Sequence, residues 1–109
     1  MSIRSDVSTQ LADYVEKFRA LADLTRVEII CLLRERGELC VCDLTEYLGG
    51  DQSRISYHLR ILRDAGLIYR RTEGVWSYYG LNENVFRQIL SPGCCAAFQP
   101  DHMATMESD

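Results

Sequence analysis

Five cysteines stand among 109 residues, and four of them come as close pairs, Cys40 and Cys42 in "GELCVCDL" and Cys94 and Cys95 in "SPGCCAAF". Thiolates are soft donors, so the two pairs suit thiophilic ions such as As(III), Sb(III), Cd(II) or Pb(II) better than hard cations. The fifth, Cys31 in "EIICLL", falls inside an apolar helical run, where a free cysteine serves as a small hydrophobe. An odd number of cysteines cannot all pair within one chain. The opening "MSIRSDVSTQ" has no apolar signal region, and no apolar run approaches the ~18 residues of a membrane span, so the expectation is a cytoplasmic chain with reduced thiols and no membrane contact.

Cys40 and Cys42 fall at what reads as the first turn of a short helix. Two residues apart on a regular helix, their side chains diverge by about 200° and cannot close on one ion through bonds of ~2.3 Å. Capture therefore requires an irregular or unwound helix start. A ligand that imposes such a start would deform whatever that helix supports. A helix N-terminus also favours the thiolate form.

The second set with chemistry in it is basic. The net charge is −4, yet residues 52–71 hold Arg54, Arg60, Arg63, Arg70 and Arg71 against the single acid Asp64, a local +4 on a remainder of −8. A basic patch on an acidic body is the footprint of a localised phosphate contact.

The elements that would position both sets follow from periodicity. Leu11, Tyr14, Val15, Phe18, Leu21 and Ala22 make one apolar stripe on a helix over 8–22, with Ser8 as its N-cap. A second helix spans about 25–36 and stops at Gly37, and a third, short one runs over 41–48 to the pair Gly49 and Gly50. Asp51 caps a fourth that ends at Gly66. Helix, glycine-containing turn, helix is the outline of a helix-turn-helix. On the fourth helix Ile55, Leu59 and Leu62 share a buried face. Ser53, Ser56, Tyr57, Arg60 and Asp64 lie opposite, with Gln52 and Arg63 at the edge, leaving those side chains free to enter a major groove ~12 Å wide. His58, on the flank, reads as bonded to backbone or to a neighbouring helix rather than as a base contact or a metal ligand. "LIYRRTEGVWSYYGL" then changes to a β-hairpin broken at Glu73 and Gly74, with Arg70 and Arg71 before its turn, the wing of a winged helix. Asn82 caps a last helix carrying Val85, Phe86, Ile89 and Leu90. The fold class is thus mainly α with a β-hairpin wing, a winged helix-turn-helix over residues 1–92, followed by a cysteine-containing tail over 93–109. Double-stranded DNA is the partner it implies. A domain this small leaves apolar surface at its end helices, which a homodimer would cover.

"ELCVCDL" followed by "SRISYHLRILRDAGLIYRRTEGVWSYYGL" resembles the ArsR/SmtB family of bacterial metal- and metalloid-responsive repressors, over roughly residues 10–90. The resemblance implies a winged-helix homodimer, paired through its first and last helices, that binds a palindromic operator and lets go when an inducer binds. In arsenical repressors three thiols of an "E-L-C-V-C-D-L-C" motif take As(III) or Sb(III). Cys40 and Cys42 match the first two, and Thr45 stands at the third, so either another thiol completes the set or the site lies elsewhere. Some relatives bind As(III) through a C-terminal cysteine pair, and others bring a C-terminal cysteine across the dimer. Both arrangements are open to Cys94 and Cys95. The histidine and carboxylate pattern of zinc-sensing relatives is missing from "NENVFRQIL", which sets Zn(II) behind the softer ions.

Two other readings compete. A redox- or persulfide-sensing repressor would use Cys31, which resembles the second-helix cysteine of persulfide sensors, with Cys94 or Cys95. A small thiol metal carrier would leave the arginine-bearing face unexplained, and no C-x-x-C, His-Cys pair or phosphate loop points to an enzyme. No protein partner beyond a second copy is inferred.

Overall fold

The computed structural model describes residues 2–89; the 93–109 tail with Cys94 and Cys95 therefore lies outside the described residues. Five helices and a three-stranded antiparallel sheet follow in the order α1 (Ser2–Leu21), α2 (Leu24–Arg36), β1 (Leu39–Cys40), α3 (Val41–Leu48), α4 (Gln52–Asp64), β2 (Ile68–Glu73), β3 (Trp76–Leu81) and α5 (Glu83–Ile89). This is the winged helix-turn-helix the sequence implies, with β1 added to the hairpin in the order β1-β3-β2.

One apolar core holds the elements together. Ile55, Leu59 and Leu62 of α4 are fully buried with Ile29 and Ile30 of α2, Leu44 of α3 and Leu67, with Leu33 of α2 buried beside them and Phe86 of α5 at the margin. The face assigned to α4 by periodicity is the one it buries. Removing a side chain such as Leu59 would cost about 2–5 kcal/mol, the usual range for a buried leucine.

Caps set the helix starts. Asp51 accepts from the Arg54 amide at 2.8 Å and opens α4 as its sequence position predicts. Asp23 does the same for α2 through the Arg26 amide and starts the helix at Leu24, one residue before the 25–36 span that periodicity marks. Ser8 is not a cap, because α1 begins at Ser2 and runs through it. Asn82 supplies its carbonyl to the first turn of α5, but its side chain instead donates to Gly66 O at 3.0 Å and ties α5 to the turn after α4.

α1 has two apolar faces. Ala20 is buried and Leu21 packs against the core, whereas Leu11, Val15 and Phe18, one stripe at four- and three-residue spacing, are half exposed. No described helix is long and apolar enough to cross a membrane.

Candidate functional site

The thiol region is built from the strand–helix junction. Cys40 is not in the first turn of α3 but is its N-cap, with extended backbone at φ −86° and ψ 170°, and it pairs with Tyr78 of β3. Its Sγ accepts from the Asp43 amide at 3.4 Å while its own amide donates to Asp43 Oδ2 at 3.3 Å, a reciprocal box in which sulfur takes the place of a serine hydroxyl. Cys40 therefore stands outside the regular helix, and Cys42, the second residue of α3, is exposed.

The expected thiolate bias fails at Cys40. Burial pushes its thiol up, and the Asp43 carboxylate beside it adds to the rise against the lowering effect of the Asp43 amide. Cys31 is likewise raised, first by burial in α2 and then by Glu28 and Glu35. Thr45 donates its hydroxyl to Val41 O at 2.8 Å, a bond that keeps it on the helix backbone. Among the described residues no three His, Cys, Asp or Glu side chains converge in a way that would hold an ion.

α4 presents the predicted reading face. Ser53, Ser56, Tyr57 and Arg60 are exposed and Arg63 is half-buried. Tyr57 is 60% exposed, an aromatic ring left in water on the face that would meet a duplex. Gln52 and Arg54 have partners within the fold: Gln52 Nε2 lies 3.7 Å from Cys42 Sγ, and Arg54 Nη2 donates to Thr25 Oγ1 at 2.8 Å. Arg54 thereby ties the start of α4 to α2. His58 is buried with Nδ1 4.0 Å from Asp23 Oδ1 at the start of α2, but among the described residues that nitrogen has no hydrogen bond, so the bond expected of it is not seen there. Burial lowers its pKa, with Asp23 pulling the other way and Arg26 and Arg54 reinforcing the drop.

The wing carries a contact that sequence reasoning missed. Glu38, just before β1, accepts from Arg71 Nε at 2.9 Å and Tyr69 Oη at 2.6 Å, and Arg71 also donates to Glu73 at 2.6 Å while lying over the Tyr78 ring. These bonds hold Glu38 below the usual carboxylate range. Arg71, read from sequence as a phosphate contact, is thus a latch between the wing and the segment that leads to Cys40. Tyr69 reaches Glu38 by lying across Gly80, where an added Cβ would sit 2.4 Å from the phenol oxygen. Arg70, on the other face of the ribbon, donates to Ser77 Oγ at 3.3 Å and is exposed.

Both chemistries therefore meet at one place. Cys42 touches the first residue of α4, and Cys40 is paired to the wing strand.

The family described as bacterial regulatory protein, arsR family, matches residues 23–70, the stretch from the α2 cap to the start of the wing. An arsenical resistance operon repressor of Bacillus subtilis is 50% identical over 92 residues, covering 84% of this chain and 88% of its own length. An arsenical resistance operon repressor of Escherichia coli is 46% identical over 71 residues, covering 65% of this chain and 61% of its own length. Among solved structures, the homodimeric winged helix-turn-helix DNA-binding domain of a Mycobacterium bovis protein superposes with a TM-score of 0.69 at 30% identity, covering 75% of this chain and 76% of that one.

Proposed function

This chain belongs to the ArsR family of bacterial regulatory proteins, and on that premise we propose that it represses transcription as a homodimer on a palindromic operator and is released when As(III) binds its thiols. Sb(III), Cd(II) and Pb(II) are weaker candidates of the same soft class, with Zn(II) behind them. The observation that carries the reading is the capping role of Cys40. A thiol that holds the first turn of α3 cannot be drawn onto an ion without disturbing that turn, and Cys42 in the same turn bears directly on α4.

Trivalent arsenic takes three thiolates. Cys40 and Cys42 supply two, Thr45 is an unsuitable hydroxyl committed to its own helix, and Cys94 or Cys95 supplies the third. The raised Cys40 thiol favours arsenous acid over divalent cations. Each As–S bond forms as a thiol proton leaves with an arsenic hydroxide as water, so three thiols give three waters and no net proton, whereas a divalent cation must expel thiol protons into solution. The raised Cys31 thiol works against the redox reading, since thiolate is the reactive form.

Ser53, Ser56, Tyr57 and Arg60 read the major groove with Arg63 at its rim, Arg70 meets backbone phosphate, and Gln52, Arg54 and Arg71 position α4 and the wing. The half-exposed stripe of Leu11, Val15 and Phe18 is the surface a second copy would cover, in line with the homodimeric structural relative. The test is direct: apo protein should retard a duplex from the promoter upstream of its own gene, and arsenite should free it. Failure to bind any such fragment would remove the repressor reading.

A further inference from the structure

The turn after α4 is closed from within. The Gly66 amide donates to Arg63 O at 2.9 Å and the Leu67 amide to Leu62 O at 3.0 Å, around a glycine at φ +81° that a residue with a side chain rarely takes. α4 therefore ends in a fixed shape, and whatever holds Gly66 holds the recognition helix.

Two side chains from distant parts of the chain meet at this turn. Asn82, between β3 and α5, donates through Nδ2 to Gly66 O at 3.0 Å, and its own amide donates to Leu67 O at 2.9 Å. Lys17 of α1 brings Nζ to 4.0 Å from where a Cβ on Gly66 would stand. Lys17 is only 9% exposed, a rare depth for a lysine, and its Nζ pairs with Asp13 Oδ2 at 3.0 Å. An ammonium so placed is stabilised by the carbonyl end of α4 as well as by Asp13.

α1 faces two ways. At about 100° per residue, Lys17 and Ala20, the buried residues of 11–20, lie opposite the half-exposed stripe of Leu11, Val15 and Phe18. A second copy seated on that stripe is then separated from the Gly66 turn by the ~10 Å width of α1 alone.

We propose that Lys17 and Asn82 are positioning residues that lock the Gly66 turn to the body of the dimer, and so fix the separation and angle of the two α4 helices and the half-site spacing that the operator must have. The inference rests on the reading of the chain as a homodimer on a palindromic operator. Two copies engage a palindrome together only if their α4 helices enter successive major grooves, ~34 Å apart, and one added base pair moves a half-site by ~3.4 Å and turns it by about 35°. A stiff mount rejects that change, and a loose one follows it.

The palindrome is located by footprinting on the promoter upstream of the gene. Anisotropy then compares it with duplexes carrying one base pair more or fewer at its centre, and with an isolated half-site. Wild type should lose roughly tenfold or more in affinity when the spacing changes. In Asn82→Ala and in Lys17→Met that penalty should shrink to about threefold, with the native palindrome bound about fivefold more weakly, the scale of one lost hydrogen bond, and half-site binding unchanged. Lys17→Arg, which keeps the charge, should restore the penalty. Circular dichroism and sedimentation check that each variant is folded and dimeric; Asn82→Asp, nearly the same shape without the donor, and Lys17→Gln replace any that is not. Variants that keep the wild-type spacing penalty, or that lose palindrome and half-site binding equally, would overturn the proposal, as would a wild type indifferent to spacing. A wild type that is monomeric, or that binds no promoter duplex, would instead overturn the homodimer or the operator reading, and this inference with it.

Discussion

The side-chain amide of Gln52 lies 3.7 Å from the Cys42 sulfur and donates to it, joining the first residue of α4 to the first turn of α3. On the proposed function, Cys42 as a ligand would change the lone pairs it can offer, and the bond would carry ligand capture to α4. Gln52→Ala should leave arsenite affinity near that of the wild type while reducing the arsenite-induced loss of operator affinity by about fivefold, the scale of a coupling near 1 kcal/mol. Paired isothermal titration and gel-shift measurements separate the two quantities.

If Cys40 is a ligand as proposed, its thiol, raised by burial and by Asp43, should give As(III) and Cd(II) different pH responses. Cd(II) affinity should climb from about pH 6 to 8 as thiol protons become easier to expel, whereas arsenous acid affinity should stay nearly flat, its thiol protons leaving as water. Competition titrations at several pH values check the contrast. Asp43→Asn should lessen the Cd(II) slope, by removing a carboxylate that disfavours the thiolate.

His58 and Asp23 set an acid limit on the α2–α4 junction. The folded-state pKa of His58 is lowered, so the unfolded chain binds the proton more readily; the stability that a neutral His58 allows is present above about pH 6.5 and is lost as pH falls below it. Asp23, also lowered, through its bond from the Arg26 amide, adds a second loss only at more acidic pH, below the ordinary carboxylate value. Thermal unfolding between about pH 7 and 5 should show Tm dropping in the wild type and dropping less in His58→Asn.

Tyr69 packed on Gly80 fixes the latch to Glu38. Gly80→Ala puts a methyl where the phenol ring lies and should cost about 1–3 kcal/mol, as overpacking does, with the Tyr69–Glu38 bond broken. Operator affinity should fall with it as the wing loses its anchor. Tyr69→Ala in the same background relieves the clash, and recovery of stability without recovery of DNA binding would identify the latch as the part that positions the wing.

Much of this architecture was legible from residue order, for reasons that can be named. α3 spans Val41–Leu48 as read, because glycines close it, and Asp51 caps α4, because its carboxylate reaches the Arg54 amide. The buried face of α4 was legible from a 3.6-residue period. β1 was not, since two residues carry no periodicity and pair only through a strand 38 residues away. For the same reason Cys40 read as helical when it is the extended cap. The Glu38 latch joins residues 31 and 33 apart, so "YRRTEG" shows only the local half of Arg71's engagement, Glu73 two residues on along the same strand, and not its bond to Glu38. The Gln52–Cys42 bond depends on how α3 and α4 cross, which only the packed core decides.

The most direct test of the account is operator release by arsenite, measured by anisotropy for wild type, Cys40→Ser/Cys42→Ser and Cys94→Ser/Cys95→Ser, with Cys31→Ser alongside. The account predicts release from wild type and Cys31→Ser, and operator binding that no longer responds to arsenite in both double variants. Release that survives both double variants, or a response confined to a persulfide donor and lost in Cys31→Ser, would contradict it.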